Sequence, residues 1–236
     1  MKNPSNPNLS VFNEPHMQVQ DKGAIEDQHE HAVWDEPAQL ARQAPPKGAM
    51  SYSRWYAYHK EHTPELNRWL TWILVCLVSG PFAVLSALIF GNPTSVAGLM
   101  TLVLIAPIVE EIAKIGAPLV LLETKPYLIS NRFQLITAAM AGGLLFAVIE
   151  NLLYLFVYIP NPTPEIAIWR WTVCTFMHVG ASTVASLGLV RAWRDGETYL
   201  KKPQLNKGFP LFIAAMVIHG SYNALAILLE YRGVFH

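Results

Sequence analysis

Five long apolar stretches constrain this chain more than any other feature of its sequence. They cover 69–90, 95–121, 134–159, 166–190 and 209–229 of a chain of 236 residues. Each is longer than the roughly 20 residues that a helix needs to cross about 30 Å of hydrocarbon. The charged residues inside them are Glu110, Glu111, Lys114, Glu150 and Arg170. The pattern excludes a soluble globular enzyme, a disordered protein and a β-barrel. It predicts an all-α, polytopic membrane helical bundle of about five transmembrane helices.

The residues before the first stretch form two segments of different composition. Residues 1–50 are rich in proline, asparagine, glutamine and acidic groups and contain no apolar run, which predicts a disordered cytoplasmic tail. Residues 51–68 mix tyrosine and tryptophan with basic side chains, which is typical of a segment at the membrane interface. No cleavable signal peptide is visible, so we expect the first stretch to act as the insertion signal. The bundle is predicted over 69–229 and a C-terminal tail over 230–236.

Lysine and arginine are unevenly distributed among the segments between the stretches. Residues 42–68 and 191–208 carry five each and 122–133 carries two, whereas 91–94 and 160–165 carry none. Basic loops stay on the cytoplasmic side, so this asymmetry predicts a cytoplasmic N-terminus and an outside C-terminus in the cell membrane. The formal net charge is +0, which gives no reason to expect nucleic acid as a partner. Membrane lipid is the expected environment.

Four ionisable side chains fall at similar depth in four different stretches. Glu110 is the sixteenth residue of its stretch, Glu150 the seventeenth, His178 the thirteenth and His219 the eleventh. An ionisable group at the bilayer centre costs roughly 2.5–3.5 kcal/mol on insertion, so such groups persist where they pair, line a wet cavity or perform chemistry. Their common depth predicts a single convergent site.

The first carboxylates of this set have helical spacing to a lysine. Glu110 and Lys114 are four residues apart and Glu111 and Lys114 are three apart, so either glutamate can pair with the ammonium group. One glutamate can thus be held by Lys114 while the other faces a water. The alternative is a buried ion pair that fixes helix packing. An isolated Glu150 would simply become protonated.

Each histidine is followed one turn later by a polar side chain. His178 precedes Ser182 and His219 precedes Asn223, both at a spacing of four. A hydroxyl or amide so placed can orient the ring or donate to a developing oxyanion. A lone histidine on an apolar face is usually a core residue, but two at the depth of the glutamates favour a site. Arg170 lies near the outer interface, where we expect its side chain to snorkel.

A carboxylate base, imidazoles and an amide donor around a water suffice for peptide-bond hydrolysis. Glu150, His178 and His219 match the ligands of a catalytic zinc site with a separate glutamate base. The same three would also serve a metal-free site, so a Zn²⁺ cofactor stays open. Cys76 and Cys174 lie inside the stretches without metal-binding spacing and are predicted to pack.

Four motifs in order carry a resemblance to a known family. They are Glu110-Glu111-x-x-Lys114, Phe146-x-x-x-Glu150-Asn151, His178-x-x-x-Ser182 and His219-x-x-x-Asn223. Together they resemble the PrsW family of intramembrane proteases, within the larger group of CAAX prenyl endopeptidases and Abi proteins, over about 95–229. The resemblance implies a bundle with a water-filled active site that cleaves membrane-anchored proteins, an anti-sigma factor being the known kind of substrate.

The resemblance also implies roles for individual residues. Glu110 would be the water-activating base and Glu111 its partner, with Asn223 as the oxyanion donor and Ser182 as an alternative donor. CAAX endopeptidases have histidine where this chain has Glu150, which argues against processing of prenylated proteins.

Two other classes of function stay open from the sequence. A non-catalytic membrane scaffold could keep the histidines for packing but has little reason to keep Glu110, Glu111 and Glu150 together. An ion or proton carrier also uses intramembrane carboxylates and histidines, although carriers more often show paired broken helices, of which we see no pair. The sequence does not indicate an oligomeric state.

Overall fold

The computed structural model describes residues 51–89 and 95–233, and these contain helices and no strand. In chain order the helices are α1 (Tyr52–His62), α2 (Glu65–Ile89), α3 (Val96–Lys114), α4 (Gly116–Thr124), α5 (Arg132–Tyr158), α6 (Pro164–Tyr199) and α7 (Phe209–Tyr231), with 3₁₀ turns at Pro126–Leu128 and Leu205–Gly208. The all-α fold predicted from the sequence is confirmed. The predicted tail, 1–50, lies outside the described residues.

Within residues 51–89 and 95–233, four helices are long and apolar enough to cross a membrane: α3, α5, α6, and α7 together with the turn before it. They correspond to four of the five predicted stretches, so the chain is a multi-pass membrane protein. Helix α2 contains most of the remaining stretch, and a count of five spans stays a prediction. Large apolar side chains lie on the outside, with Phe156 80% and Phe176 81% exposed. Such a surface suits lipid rather than water.

The predicted span 95–121 is interrupted near its C-terminal end. Helix α3 ends at Lys114, Ile115 leaves the helical conformation with φ −94° and ψ 1°, and α4 then begins at Gly116. Pro118 explains the break, because it has no N–H to donate to the Lys114 carbonyl four residues earlier. The break makes Lys114 the last residue of α3.

Two adjacent glycines of α5 allow α3 and α6 to approach it closely. A Cβ on Gly142 would lie 2.5 Å from the carbonyl oxygen of Lys114, and one on Gly143 would lie 2.8 Å from the carbonyl oxygen of His178. Small residues at helix contacts are the usual means of close packing in membranes. Gly180, by contrast, would meet nothing within 4 Å.

Three of the membrane helices contain a wider, π-helical turn. These turns are Thr101–Ile105 in α3, Tyr154–Tyr158 in α5 and Arg170–Cys174 in α6. Side-chain amides from neighbouring helices satisfy carbonyls there: Asn223 Nδ2 donates to Leu102 O at 2.9 Å, and Asn151 Nδ2 donates to Arg170 O at 2.9 Å. Such turns are frequent at functional sites, and all three lie close in sequence to the ionisable residues.

Residues 51–68, the predicted interfacial segment, contain α1 and the start of α2. Lys60 Nζ lies 2.6 Å from Glu197 Oε2, which ties α1 to the end of α6. The Trp55 ring packs edge-on against Tyr127, with centroids 5.3 Å apart, in the turn after α4. The position of this segment at a membrane interface stays a prediction.

Candidate active site

The last turn of α3 brings two carboxylates to one fully buried lysine. Lys114 Nζ lies 2.7 Å from Glu111 Oε1 and 3.8 Å from Glu110 Oε2, and the lysine side chain is 0% exposed. The ammonium group also lies 4.2 Å from the centroid of the Phe146 ring on α5. Helical spacing brings these charges together. Because they are buried, removal of either partner would leave the other as an unpaired charge away from water.

His178 of α6 connects this group to α5. Its Nδ1 is 2.8 Å from Lys114 Nζ and its Nε2 is 2.9 Å from Glu150 Oε2. An ammonium group only donates, so Nδ1 accepts, and the neutral ring then carries its hydrogen on Nε2 and donates to Glu150. His178 is 1% exposed. Its ring is thereby held from both sides.

His219 of α7 closes the cluster from the opposite side. Its Nδ1 donates to Glu111 Oε1 at 2.8 Å, which leaves the Nε2 lone pair directed at Glu110 Oε2, 3.6 Å away. No described residue makes a hydrogen bond to this buried Glu110 oxygen. Two acceptors thus face each other with no donor from these residues between them. That arrangement suits a proton, a water or a cation.

The structure therefore brings together six of the eight residues that the sequence placed in the site. They are Glu110, Glu111, Lys114, Glu150, His178 and His219, contributed by α3, α5, α6 and α7. Three carboxylates share this space with the cations of Lys114 and Arg170. With both histidines neutral, the group carries one excess negative charge, which favours binding of a proton or a metal cation.

The two candidate oxyanion donors occupy different surroundings. Ser182 Oγ is buried one turn from His178, and among the described residues it has no hydrogen-bond partner. Asn223 is half-buried, and one of its amide hydrogens is already donated to Leu102 O. Ser182 can therefore donate its hydroxyl hydrogen to a bound substrate. Asn223 can donate its second amide hydrogen, because the first is used in the bond to Leu102 O. The oxyanion role of either residue stays a prediction.

Sequence reasoning missed the position of Arg170. Instead of snorkelling outward, its guanidinium lies 3.1 Å from Glu150 Oε2, and both side chains are 13% exposed. The physical reason is that an intramembrane carboxylate needs a partner, and Arg170 is the available cation on the adjacent helix. The sequence did contain a signal for this position. A buried cluster of three glutamates and one lysine needs a second positive charge, and Arg170 is the other cation inside the predicted spans.

Among the described residues, two overlapping sets of side chains could hold a metal ion. Donor atoms of Glu110, His178 and His219 lie within 4.8 Å of one another, as do those of Glu150, Cys174 and His178. The first set contains both predicted histidines but with Glu110 in the place that the sequence gave to Glu150. Glu150 Oε2 already contacts both Arg170 and His178, at 3.1 and 2.9 Å, so it is less available as a metal ligand.

Comparison with known proteins identifies the family. The model of the PrsW family intramembrane metalloprotease matches residues 67–235, which include every residue of the site described above. Curated proteins and solved structures give no match. The resemblance to this family is confirmed, and the family supports protease activity inside the membrane and the use of a metal. This chain belongs to the PrsW family of intramembrane metalloproteases.

Proposed function

We propose that this protein is an intramembrane endopeptidase in which Glu110 activates a water to hydrolyse a peptide bond of a membrane-anchored protein. The observation that carries the proposal is the buried Glu110 oxygen, which has no hydrogen-bond donor among the described residues and faces the lone pair of His219 at 3.6 Å. A water beside these two acceptors can donate to both. Its nucleophilic oxygen is then available to a carbonyl carbon.

The surrounding residues support proton transfer by Glu110. The water gives one proton to the Glu110 carboxylate while its oxygen bonds to the carbonyl carbon; the C–N bond then breaks, and the proton passes to the departing amine. Glu111 fixes the tautomer and orientation of His219 through Nδ1. Lys114 offsets the charge of the two adjacent glutamates.

The oxyanion formed during the attack requires a donor. Ser182 Oγ supports that role because it is buried without a described partner. Asn223 supports it through its second amide hydrogen, while the first fixes the side chain on Leu102 O. We propose that one of these two groups stabilises the oxyanion, since a donor directed at developing charge contributes several kcal/mol in a water-poor site.

A divalent metal fits the same residues. Two ligands of a tetrahedral zinc are about 3.4 Å apart, close to the 3.6 Å between Glu110 Oε2 and His219 Nε2. We propose that Glu110, His178 and His219 would hold it. Binding through His178 Nε2 would release the hydrogen of that nitrogen and break its hydrogen bond to Glu150. Glu150 would then accept the proton of the attacking water. When bound, such a metal lowers the pKa of its water and polarises the scissile carbonyl.

Replacing each carboxylate by its amide separates these assignments. If Glu110 is the ligand, Glu110→Gln loses bound metal and Glu150→Gln keeps it, as measured by elemental analysis of detergent-purified protein. The reverse result would make Glu150 the ligand and Glu110 the base, as the sequence suggested. Absence of metal from an active wild-type preparation would leave the metal-free version, with Glu110 as base.

The substrate is proposed from the position of the site. The cluster is buried among membrane helices, so a cleaved segment has to enter from the bilayer, which favours a membrane-anchored protein. A substrate of the anti-sigma-factor kind is proposed from the resemblance to the PrsW family alone. We further propose a cytoplasmic N-terminus and an outside C-terminus, which the lysine and arginine distribution supports.

The proposal is tested with a single-span membrane peptide that carries a fluorophore and a quencher on opposite sides of its apolar segment. Wild-type protein in proteoliposomes should release fluorescence, with products identified by mass spectrometry, and Glu110→Gln should reduce turnover at least about 100-fold. Vesicles without peptide are assayed for proton flux. Flux without cleavage would indicate a carrier, and neither activity would indicate a scaffold; both results contradict the proposal.

A further inference from the structure

Arg170 is the one cation of the site whose contacts the proposed chemistry does not use. Its guanidinium Nη2 is 3.1 Å from Glu150 Oε2, and the same oxygen accepts from His178 Nε2 at 2.9 Å. A single carboxylate oxygen is thus shared by a guanidinium and an imidazole. Movement of this oxygen away from its position would weaken both hydrogen bonds, so Arg170 limits the positions that Glu150 and His178 can adopt.

The backbone of Arg170 is held by the residue next to Glu150. Asn151 Nδ2 donates to the Arg170 carbonyl at 2.9 Å, and Thr175 Oγ1 donates to the same oxygen at 3.1 Å. Two consecutive residues of α5 therefore hold both the side chain and the main chain of one residue of α6. This double attachment fixes the start of the π-helical turn at Arg170.

Aromatic packing keeps the guanidinium in place. Arg170 Cζ lies 3.7 Å from the centroid of the Tyr154 ring, one helical turn beyond Glu150. A guanidinium stacks on such a face while retaining its hydrogen bonds in the plane, which an ammonium group cannot do. The site around Glu150 is therefore built for arginine rather than for any cation.

From these contacts we infer that Arg170 is a positioning residue for the proposed hydrolysis, and that it acts by fixing the Glu150 carboxylate against His178. The inference rests on the proposed function. In this role Arg170 does not touch the reacting atoms. Its effect passes through Glu150, so its removal should slow the chemical step and leave binding of the peptide nearly unchanged.

The test compares Arg170→Gln and Arg170→Lys with Arg191→Gln, a control at an exposed arginine of the same helix. Turnover of the fluorogenic single-span peptide is measured in proteoliposomes. Loss of a residue that orients a site carboxylate typically costs 10–100-fold. We expect kcat to fall about 10–100-fold in Arg170→Gln with KM near wild type, an intermediate loss in Arg170→Lys, and none in Arg191→Gln.

A second measurement does not depend on activity. The infrared stretch of the ionised Glu150 carboxylate is assigned by subtracting the spectrum of Glu150→Gln, and it should shift in Arg170→Gln and stay in place in Arg191→Gln. An unchanged band, an unchanged kcat in folded Arg170→Gln, or a loss that follows a lowered unfolding midpoint in both Arg170 variants would overturn the inference. A wild-type protein that cleaves nothing counts against the proposed function, and the infrared comparison still decides whether Arg170 holds Glu150.

Discussion

Replacement of Lys114 by methionine should destabilise the bundle more than any exposed charge change. Lys114 Nζ contacts Glu111 at 2.7 Å, His178 at 2.8 Å and Glu110 at 3.8 Å, and its side chain has no exposure. Methionine keeps most of the packing, including that on Phe146, but removes the charge. Two carboxylates would then be left in a buried site without their shared cation. Breaking a buried pair on one side typically costs 3–5 kcal/mol, so we expect a loss of about that size.

The free energy of unfolding is measured by titrating purified protein with SDS in mixed micelles. Lys202→Met is the matched control, because Lys202 pairs with Glu123 at 3.0 Å but is 65% exposed, and exposed pairs typically contribute 0.2–1 kcal/mol. Adding Glu111→Gln to Lys114→Met should recover part of the loss, since the second change removes a stranded charge. A Lys114→Met protein as stable as Lys202→Met would refute the reasoning.

Three further predictions concern ligands, packing and topology. His219→Ala should lose activity together with bound metal. Of Asn223→Ala and Ser182→Ala, the variant that removes the oxyanion donor should lose about 2.7–4 kcal/mol of transition-state stabilisation and keep the metal, as elemental analysis beside kinetics would show. Gly143→Ala should destabilise the fold, because its Cβ would lie 2.7 Å from Ser182 Oγ, while Gly180→Ala should be neutral or stabilising in the same SDS titration. A cysteine at Asn206, in a protein without the two native cysteines, should resist an impermeant thiol reagent in intact cells; labelling there would contradict the proposed topology.

The residues of the cluster could be predicted from the sequence because the ends of an apolar stretch determine how deep each of its residues lies in the membrane. A helix rises by a constant amount per residue, so four ionisable groups counted from the ends of four apolar stretches had to lie at similar heights. Helical spacing likewise predicted that Lys114 could contact both Glu110 and Glu111. These inferences depend on chain geometry alone and required no knowledge of how the helices are packed.

Other features depend on packing and could not be predicted. Glu111 lies closer to the lysine and also accepts from His219 of α7, whereas Glu110 Oε2 lies 3.8 Å from Lys114 and has no hydrogen-bond donor among the described residues. The inward position of Arg170 required knowledge that Glu150 faces α6. Hydropathy does not fix the rotation of a helix about its axis, so the identity of each partner remained open.

The shortest polar contacts of the site form one continuous chain with two different ends, and a longer contact of 3.8 Å also joins Lys114 to Glu110. From Arg170 it passes to Glu150, His178, Lys114, Glu111 and His219, with each polar contact between 2.7 and 3.1 Å, and it reaches Glu110 at 3.6 Å. Every link before the last joins a donor to an acceptor, although Glu111 Oε2 and Arg170 Nε are buried without a hydrogen-bond partner among the described residues. At Glu110 the alternation fails, since an acceptor faces an acceptor. Chemistry that needs a water or a metal should therefore occur at the Glu110 end, while the Arg170 end keeps the rest of the chain in position.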